Sequence, residues 1–153
     1  MTVCLITTIR SAGKKQSLHI TPAPVSATVQ EGHFLLKPDT RILVSGAQAS
    51  GVASLLARML NSPTGYHLTV KQSKEQHTMN AIVLRINPGR DASLGDEGYT
   101  LLVLPRQVMI TANKPQGLFY GLQTLMQLLP PAVESNAIVK SVEWSIPCVN
   151  IRD

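Results

Sequence analysis

The sequence predicts an α+β domain of two layers, in which a mixed or mostly antiparallel sheet is covered on one face by two amphipathic helices. Two segments repeat apolar residues at helical spacing, and about six or seven shorter ones have the alternating or β-branched pattern of strands. The longer strand segments follow one another without an intervening helix, a chain order that is typical of α+β folds.

The bulk composition indicates one globular domain. A chain of 153 residues is long enough for its own hydrophobic core, and 44% hydrophobic and 15% charged residues are ordinary for such a domain. The formal net charge is +5, but the basic residues are scattered in ones and twos, so we expect no nucleic-acid partner. No apolar run reaches the roughly 18 residues of a membrane span. Cys4 and Cys148 are too few to define a disulfide framework or a zinc site.

The first residues differ from the rest of the chain. Residues 1–17 have no hydrophobic periodicity and many small or polar residues, so we expect a disordered leader. Residues 1–9 contain a short apolar stretch with no basic residue ahead of it, and the alternative is the remnant of a longer export signal. The domain itself is predicted to span 18–153, with Pro22 and Pro24 holding an extended entry.

The first half of this domain is predicted to contain five short strands and one helix. The helix covers about 47–61, because its apolar residues form a single stripe, and Ser62 to Gly65 end it. The stripe consists of Val52, Leu55, Leu56, Met59 and Leu60. The strands lie at 27–31, 34–37, 41–45, 67–71 and 81–87, and a polar loop at 72–80 separates the last two.

A hairpin is predicted at 99–112, after a turn-rich loop at 87–96. Residues 99–104 alternate with apolar side chains on both faces, which favours a strand inside the sheet rather than at its edge. Pro105, Arg106 and Gln107 are predicted to form the turn into the second strand, 108–112.

A second helix follows Asn113 and ends at Pro130, with Pro115 in its first turn. Gly117 and Gly121 lie four residues apart inside it, where each costs about 1 kcal/mol relative to Ala. We expect close approach of the helix to the sheet to compensate this cost, the alternative being a poorly formed helix. Beyond it, 132–140 is predicted to be a loop and 143–150 a last extended segment.

Six segments of the chain together form a recognisable set. The central ones are EGYTL at 97–101, VMITA at 108–112 and GLFYGLQTL at 117–125. The others are ITPAP at 20–24, GHF at 32–34 and IPCVNIRD at 146–153. This set resembles the non-catalytic second domain of the β-N-acetylhexosaminidases of glycoside hydrolase family twenty. The resemblance covers about residues 18–153 and breaks off where the catalytic barrel of that family would begin.

The resemblance implies the zincin-like two-layer domain of these enzymes, packed against a catalytic barrel that this chain lacks. The parent enzyme would hydrolyse terminal non-reducing N-acetyl-D-hexosamine residues with retention, through the substrate's own acetamido group. It also implies export to the periplasm or cell surface, and contact with glycan only through the parent. The alternatives are a stand-alone carbohydrate-binding module and a module that binds a protein partner.

We expect no catalytic residues, no cofactor and no metal site in this chain. The adjacent carboxylates Asp96 and Glu97 lie in a Gly-flanked loop with no apolar residues around them to shift their pKa values, so they are interpreted as solvated. The histidines, His19, His33, His67 and His77, lack the spacing of a metal site.

Four residues are candidates for contact with the barrel. Arg152 and Asp153 lie where the resemblance places the junction between the two domains, and such a junction would leave an apolar patch on the isolated chain. Tyr120 and the single tryptophan, Trp144, are the aromatic candidates. The alternatives are a core position for Trp144 and a sugar-stacking platform formed by the two aromatic side chains.

Overall fold

The computed structural model describes residues 18–74 and 78–153, and these form a seven-stranded sheet with two helices. The predicted α+β class and two-layer architecture are confirmed. The predictions for residues 1–17, Cys4 and His77 lie outside the described residues. The strands are β1 (Ser26–Leu35), β2 (Arg41–Ser45), β3 (Val70–Gln72), β4 (Ala81–Ile86), β5 (Tyr99–Leu104), β6 (Gln107–Ala112) and β7 (Ser145–Arg152), and the helices are α1 (Ser50–Thr64) and α2 (Pro115–Leu128).

The sheet is mixed, as predicted, and divides into two halves. Its strand order is β1-β7-β5-β6-β4-β2-β3. Neighbours from β1 to β6 are antiparallel, whereas neighbours from β6 to β3 are parallel. The last strand of the chain, β7, is therefore inserted between the first strand and the central hairpin. No helix of the described residues has both the length and the apolar character that a membrane crossing requires.

Both helices cover the same face of the sheet. Strand side chains alternate between faces, so residues paired in register line up in rows across the sheet. Two such rows belong to the main core together with the buried stripes of α1 and α2. They consist of Ile42, Ile82, Val108, Val103 and Val149, and of Val44, Leu84, Ile110, Leu101 and Ile151. The opposite face carries no helix among the described elements and has a small cluster around Leu43 and Val83.

The predicted hairpin is present, with a shorter connection than expected. Gln107 pairs with Leu104, so it belongs to β6 and only Pro105 and Arg106 form the turn. Leu101 and Val103 are buried, and Leu102 is partly covered on the other face. Since β5 lies between β6 and β7, the prediction of an interior strand is confirmed.

The glycines of α2 sit where the helix touches the sheet. A Cβ atom on Gly117 would lie 2.4 Å from the carbonyl oxygen of Gly98 and 2.8 Å from the Cβ of Ala112. A Cβ atom on Gly121 would lie 2.5 Å from Cγ2 of Ile110. All three distances are far below van der Waals contact. The two glycines therefore permit close approach of the helix to the sheet, as predicted, and the poorly formed helix is excluded.

Two elements near the start of the domain differ from the prediction. Residues 26–35 form a single strand rather than two, because the pairing of β1 with β7 continues across an irregularity between Val29 and His33. Gly32 lies in this irregularity with φ +99°, a conformation that residues with a side chain rarely adopt. The glycine that predicted a break between strands instead marks a bulge within one.

The other differences are at element ends. Helix α1 continues through Pro63 to Thr64 and is capped by Gly65 at φ 69°. Strand β3 begins at Val70, since the side chain of Asn61 binds both backbone polar groups of Leu68 at 2.9 and 3.1 Å and holds it out of the sheet. Within the predicted loop at 132–140, Pro131–Glu134 forms a 3₁₀ turn. The last strand begins at Ser145 and continues to Arg152.

A buried polar contact joins the sheet to α2. The hydroxyl groups of Tyr99 and Thr124 are 2.6 Å apart, and burial raises the pKa of the Tyr99 phenol. The folded protein therefore retains this proton at a pH where an unfolded tyrosine, with a pKa of about 10, has lost it. The contribution of Tyr99 to stability is complete below about pH 10 and is lost as pH rises through the higher folded pKa.

Replacing Tyr99 with Phe is expected to reduce the free energy of unfolding by about 1 kcal/mol at neutral pH, because the Thr124 hydroxyl loses its partner. The variant should also lose less stability than the wild type above about pH 10. Urea unfolding at pH 8 and pH 10.5 measures both effects, with Tyr120→Phe at the surface as the control. An equal loss of stability between the two pH values in wild type and Tyr99→Phe would contradict the expectation.

Candidate interaction surface

The last residue of the chain lies at a fixed place beside the central hairpin. The backbone N–H and C=O of Asp153 each bond to the backbone of Tyr99 at 3.0 Å, and the Asp153 carboxylate accepts a bond from the amide of Val25 at 3.1 Å. Gly98 is packed so closely that an added Cβ would lie 2.7 Å from the carbonyl oxygen of Asp153. Because Gly117 touches Gly98 in turn, the first turns of α2 lie at this same end of the sheet. We call the end of the sheet that is marked by Gly98, Asp153 and the first turns of α2 the exit end.

A loop at 87–97 folds over the exit end, and Asn113 holds it in place. The Asn113 side chain accepts bonds from the Asn87 side chain and the Asp91 amide, both at 2.9 Å. It donates to the carbonyl oxygens of Asp91 and Gly95, at 2.7 and 2.5 Å. One half-buried amide thus satisfies four polar groups and fixes the loop against the ends of β4 and β6.

Charged residues at the exit end are paired with one another. Asp96 lies 2.6 Å from Lys114 Nζ and 3.2 Å from Arg90, and the hydrogen bond from Lys114 lowers the pKa of the Asp96 carboxyl. Arg152 bonds to Ser93 Oγ and lies 4.0 Å from the Asp91 carboxylate. The Ser93 hydroxyl is the main cause that lowers the pKa of Asp91. All these groups are solvent-exposed, so each pair contributes little to stability.

The outer surface of the helix layer carries almost no charge. Helix α2 contains no Asp, Glu, Lys or Arg, and α1 contains only Arg58. Phe119 and Tyr120 are 38% and 45% exposed on α2, with their rings in edge contact at 5.9 Å. A groove of about 260 Å³ between the helices and the 3₁₀ turn is lined by Met59 and Met126 together with polar side chains and Glu134. Exposed aromatic side chains on helices that carry almost no charge are typical of a surface that meets another protein segment.

The structure separates the four predicted interface residues into two places. Tyr120, Arg152 and Asp153 are near or at the exit end. Trp144 is only 3% exposed and immediately precedes β7, at the opposite end of that strand. Trp144 is therefore part of the core and shares no exposed platform with Tyr120, which removes the sugar-stacking alternative that pairs them.

The positions of the His, Cys, Asp and Glu side chains can be compared with the sequence predictions for metal ligands and catalytic carboxylates. Within 18–74 and 78–153, no three His, Cys, Asp or Glu side chains come together in a group that could hold a metal ion. Asp96 and Glu97 are exposed in the loop at the exit end, as the loop interpretation expects. Asp96 is engaged by two cations, Arg90 and Lys114.

Sequence reasoning missed the roles of Asn113 and Gly98. A signal was present for Asn113: it and Asn87 each come directly after a strand of the parallel pair β4 and β6, so they lie at the same edge of the sheet. The close contact of Gly98 with Asp153 joins residues far apart in sequence. No local pattern reports such a contact.

Comparison with known proteins identifies relatives over nearly the whole chain. The family model described as glycosyl hydrolase family 20, domain 2, matches residues 17–153. A β-hexosaminidase of Porphyromonas gingivalis is 33% identical over 138 residues, which is 90% of this chain and 17% of that protein.

Solved structures agree. The β-N-acetylhexosaminidase of Streptomyces coelicolor is 38% identical with a TM-score of 0.76, covering 86% of this chain and 25% of that one. The N-acetyl-β-hexosaminidase of Streptomyces plicatus gives the same identity and TM-score over 88% of this chain and 26% of the other. The chain thus spans about a quarter of these solved chains and a smaller part of the Porphyromonas relative.

Proposed function

The chain belongs to the family of second domains of glycosyl hydrolase family 20, and from this premise we propose that it is the accessory domain of a β-N-acetylhexosaminidase. The parent enzyme removes terminal non-reducing N-acetylhexosamine residues. Its catalytic groups belong to a barrel outside this chain, and the role of the present domain is to pack on that barrel and stabilise it. Support for this comes from the hexosaminidase relatives, each of which is much longer than the chain.

The observation that carries the proposal is the uncharged outer surface of the helix layer. Surface helices of soluble domains normally present charged residues to solvent, whereas α1 and α2 together present only Arg58. The exposed rings of Phe119 and Tyr120 supply the aromatic anchors that interfaces use. We assign this surface, with Tyr120 at its edge, to contact with the barrel.

The exit end provides the second part of the interface. Asp153 is held in the sheet by β5, so a segment that continues from it would begin at a fixed position and direction. Arg152 is fixed by Ser93 and Asp91 of the loop at 87–97. We propose that this loop and the Arg152 and Asp153 side chains meet the barrel beside the junction. Trp144 supports the interface only from within the core.

A chimaera tests the proposal directly. The matching quarter of the Streptomyces coelicolor enzyme is replaced by this chain, and the product is assayed with a chromogenic N-acetylglucosaminide and by thermal inactivation. We expect an active chimaera, an inactive 153-residue chain, and a clear loss of thermal stability when Phe119 and Tyr120 are both replaced by Asp. Burying two unpaired carboxylates at an interface costs several kcal/mol.

The matched control places Asp at two exposed positions away from the helix layer, Thr28 and Met79. This double variant is expected to inactivate at nearly the temperature of the unmodified chimaera. Equal effects of the two double variants would contradict the assigned surface. Hydrolysis by the 153-residue chain alone would contradict the accessory role itself.

Export of the parent enzyme to the periplasm or cell surface is also part of the proposal. Its support is the match of residues 17–153 to the hexosaminidase family. Fractionation of the native cells, with the activity followed in each fraction, tests this part separately. Activity confined to the cytoplasmic fraction would contradict it.

A further inference from the structure

The charged residues of the strands are distributed with unusual bias. Among all strand residues the cations are Arg41, Lys71, Arg85 and Arg152, and the single carboxylate is Glu31, within the irregular part of the edge strand β1. Each cation is the immediate strand neighbour of a residue in or packed against the main core. Because neighbouring side chains of a strand point to opposite faces of the sheet, all four cations belong to the face without helices.

Three of these cations form one patch. Arg41, Lys71 and Arg85 lie on β2, β3 and β4, which are neighbours in the parallel half of the sheet. No carboxylate of the residues that the structure describes lies within ion-pair distance of them, whereas Arg152 at the other side is paired with Asp91. We call Arg41, Lys71 and Arg85 the cationic patch.

Apolar residues surround the cations of the patch, and one nitrogen of Arg85 lacks a hydrogen-bond partner among the described residues. Leu43, Ala81 and Val83 are buried and lie on the same face of the sheet as the three cations. The Nε of Arg85 is buried and has no hydrogen-bond partner among the described residues. An unpartnered buried guanidinium nitrogen is costly, and an anion bound to the rest of the same guanidinium group would offset part of that cost by charge-assisted hydrogen bonds.

The spacing of the patch suits an extended anion. Lys71 pairs with Leu43, two residues from Arg41, and Arg85 pairs with Ser45, four residues from Arg41. From ordinary sheet dimensions the three Cα atoms are roughly 8 to 14 Å apart. One carboxylate or sulfate group cannot reach all three cations, but a polymer with repeated negative charges can.

We propose that the cationic patch is a docking site for an anionic glycan, a polysaccharide with carboxylate or sulfate groups at intervals along its chain. Charge complementarity argues for a polyanion. The strands of the patch contain no aromatic residue on which a base could stack, so a single-stranded nucleic acid is a poorer match. The choice of a glycan rests on the proposed function, since the parent enzyme acts on glycans. The patch lies on the opposite face of the sheet from the surface assigned to the barrel.

Affinity electrophoresis of the 153-residue chain tests the proposal. The native gels contain polygalacturonate, dextran sulfate, neutral dextran or single-stranded DNA at matched concentration. We expect retardation by polygalacturonate or dextran sulfate, weakening as salt is raised from 50 to 300 mM, and none by neutral dextran. Retardation by only one of the two polyanions identifies carboxylate or sulfate as the recognised group.

The decisive variant replaces Arg41, Lys71 and Arg85 together with Gln and is expected to weaken binding at least tenfold. The matched control replaces Arg58, Arg90 and Lys140 with Gln, which removes the same charge elsewhere. Lys71→Gln alone, on the short exposed strand β3, keeps the test valid if the triple variant does not fold, and should weaken binding two- to threefold. Equal loss in patch and control variants, tighter binding of DNA, or no retardation by either glycan overturns the proposal. None of these results bears on the chimaera, so the proposed function is tested independently.

Discussion

Replacing Gly117 with Ala is expected to lower the free energy of unfolding by about 1–3 kcal/mol, although Ala is the better helix former by about 1 kcal/mol. The added methyl group would lie 2.4 Å from a backbone oxygen of the sheet, so the whole helix must move rather than a flexible side chain. Gly121→Ala, which meets Cγ2 of Ile110 at 2.5 Å, should act in the same direction. The expected drop in melting temperature is roughly 3–9 °C.

The control is the third helical glycine of the described residues. Gly51 is in α1, is exposed, and has no atom within 4 Å of an added Cβ. Gly51→Ala should therefore stabilise the domain by up to about 1 kcal/mol through helix propensity alone. Thermal and urea unfolding of the three variants measures the contrast in sign. A stabilised Gly117→Ala would show that α2 does not lie as close to the sheet as described.

Replacing Asn113 with Ala is expected to cost about 2–3 kcal/mol, because two donors and two acceptors lose their partner at one half-buried position. The effect should be concentrated in the loop at 87–97. Hydrogen exchange at the Asp91 amide is expected to become much faster, while amides in the centre of β5 remain protected.

Asn150 provides the comparison for that variant. It lies exposed on β7, so Asn150→Ala should change the free energy of unfolding by less than about 0.5 kcal/mol. Asn113→Asp is informative as well, since it preserves the oxygen that accepts two bonds but points negative charge at two carbonyl oxygens. It should be at least as destabilising as Ala. An unchanged exchange rate at Asp91 in either variant would mean that Asn113 does not hold the loop.

Sequence reasoning was most successful where local pattern and burial agree. The hairpin, both helices and the apolar stripe of α1 follow from periodicity. The close approach of α2 to the sheet at Gly117 and Gly121 follows from the cost of glycine inside a helix. Element ends were less predictable. Strand β3 starts late because the Asn61 side chain captures Leu68, and a capture of this kind depends on the tertiary arrangement and not on propensity.

The candidate surfaces were only partly accessible from the sequence. The assignment of Tyr120, Arg152 and Asp153 to an interface started from the family resemblance and stays a prediction. The burial of Trp144 could not be predicted, because a tryptophan in a strand-like run suits both core and interface. The cationic patch was missed because Arg41, Lys71 and Arg85 are isolated along the chain. Only the order of the strands brings them together.

The position of β7 has a consequence for how this polypeptide is made. Strand β1 pairs with β7, which is synthesised about 110 residues later. At ordinary elongation rates this interval lasts roughly 6 to 22 s. During that interval the backbone polar groups and apolar side chains of β1 lack their partner strand, β7. Completion of the sheet must therefore wait until β7 has emerged from the ribosome, and a nascent chain stalled before residue 145 should be a substrate for chaperones and proteases.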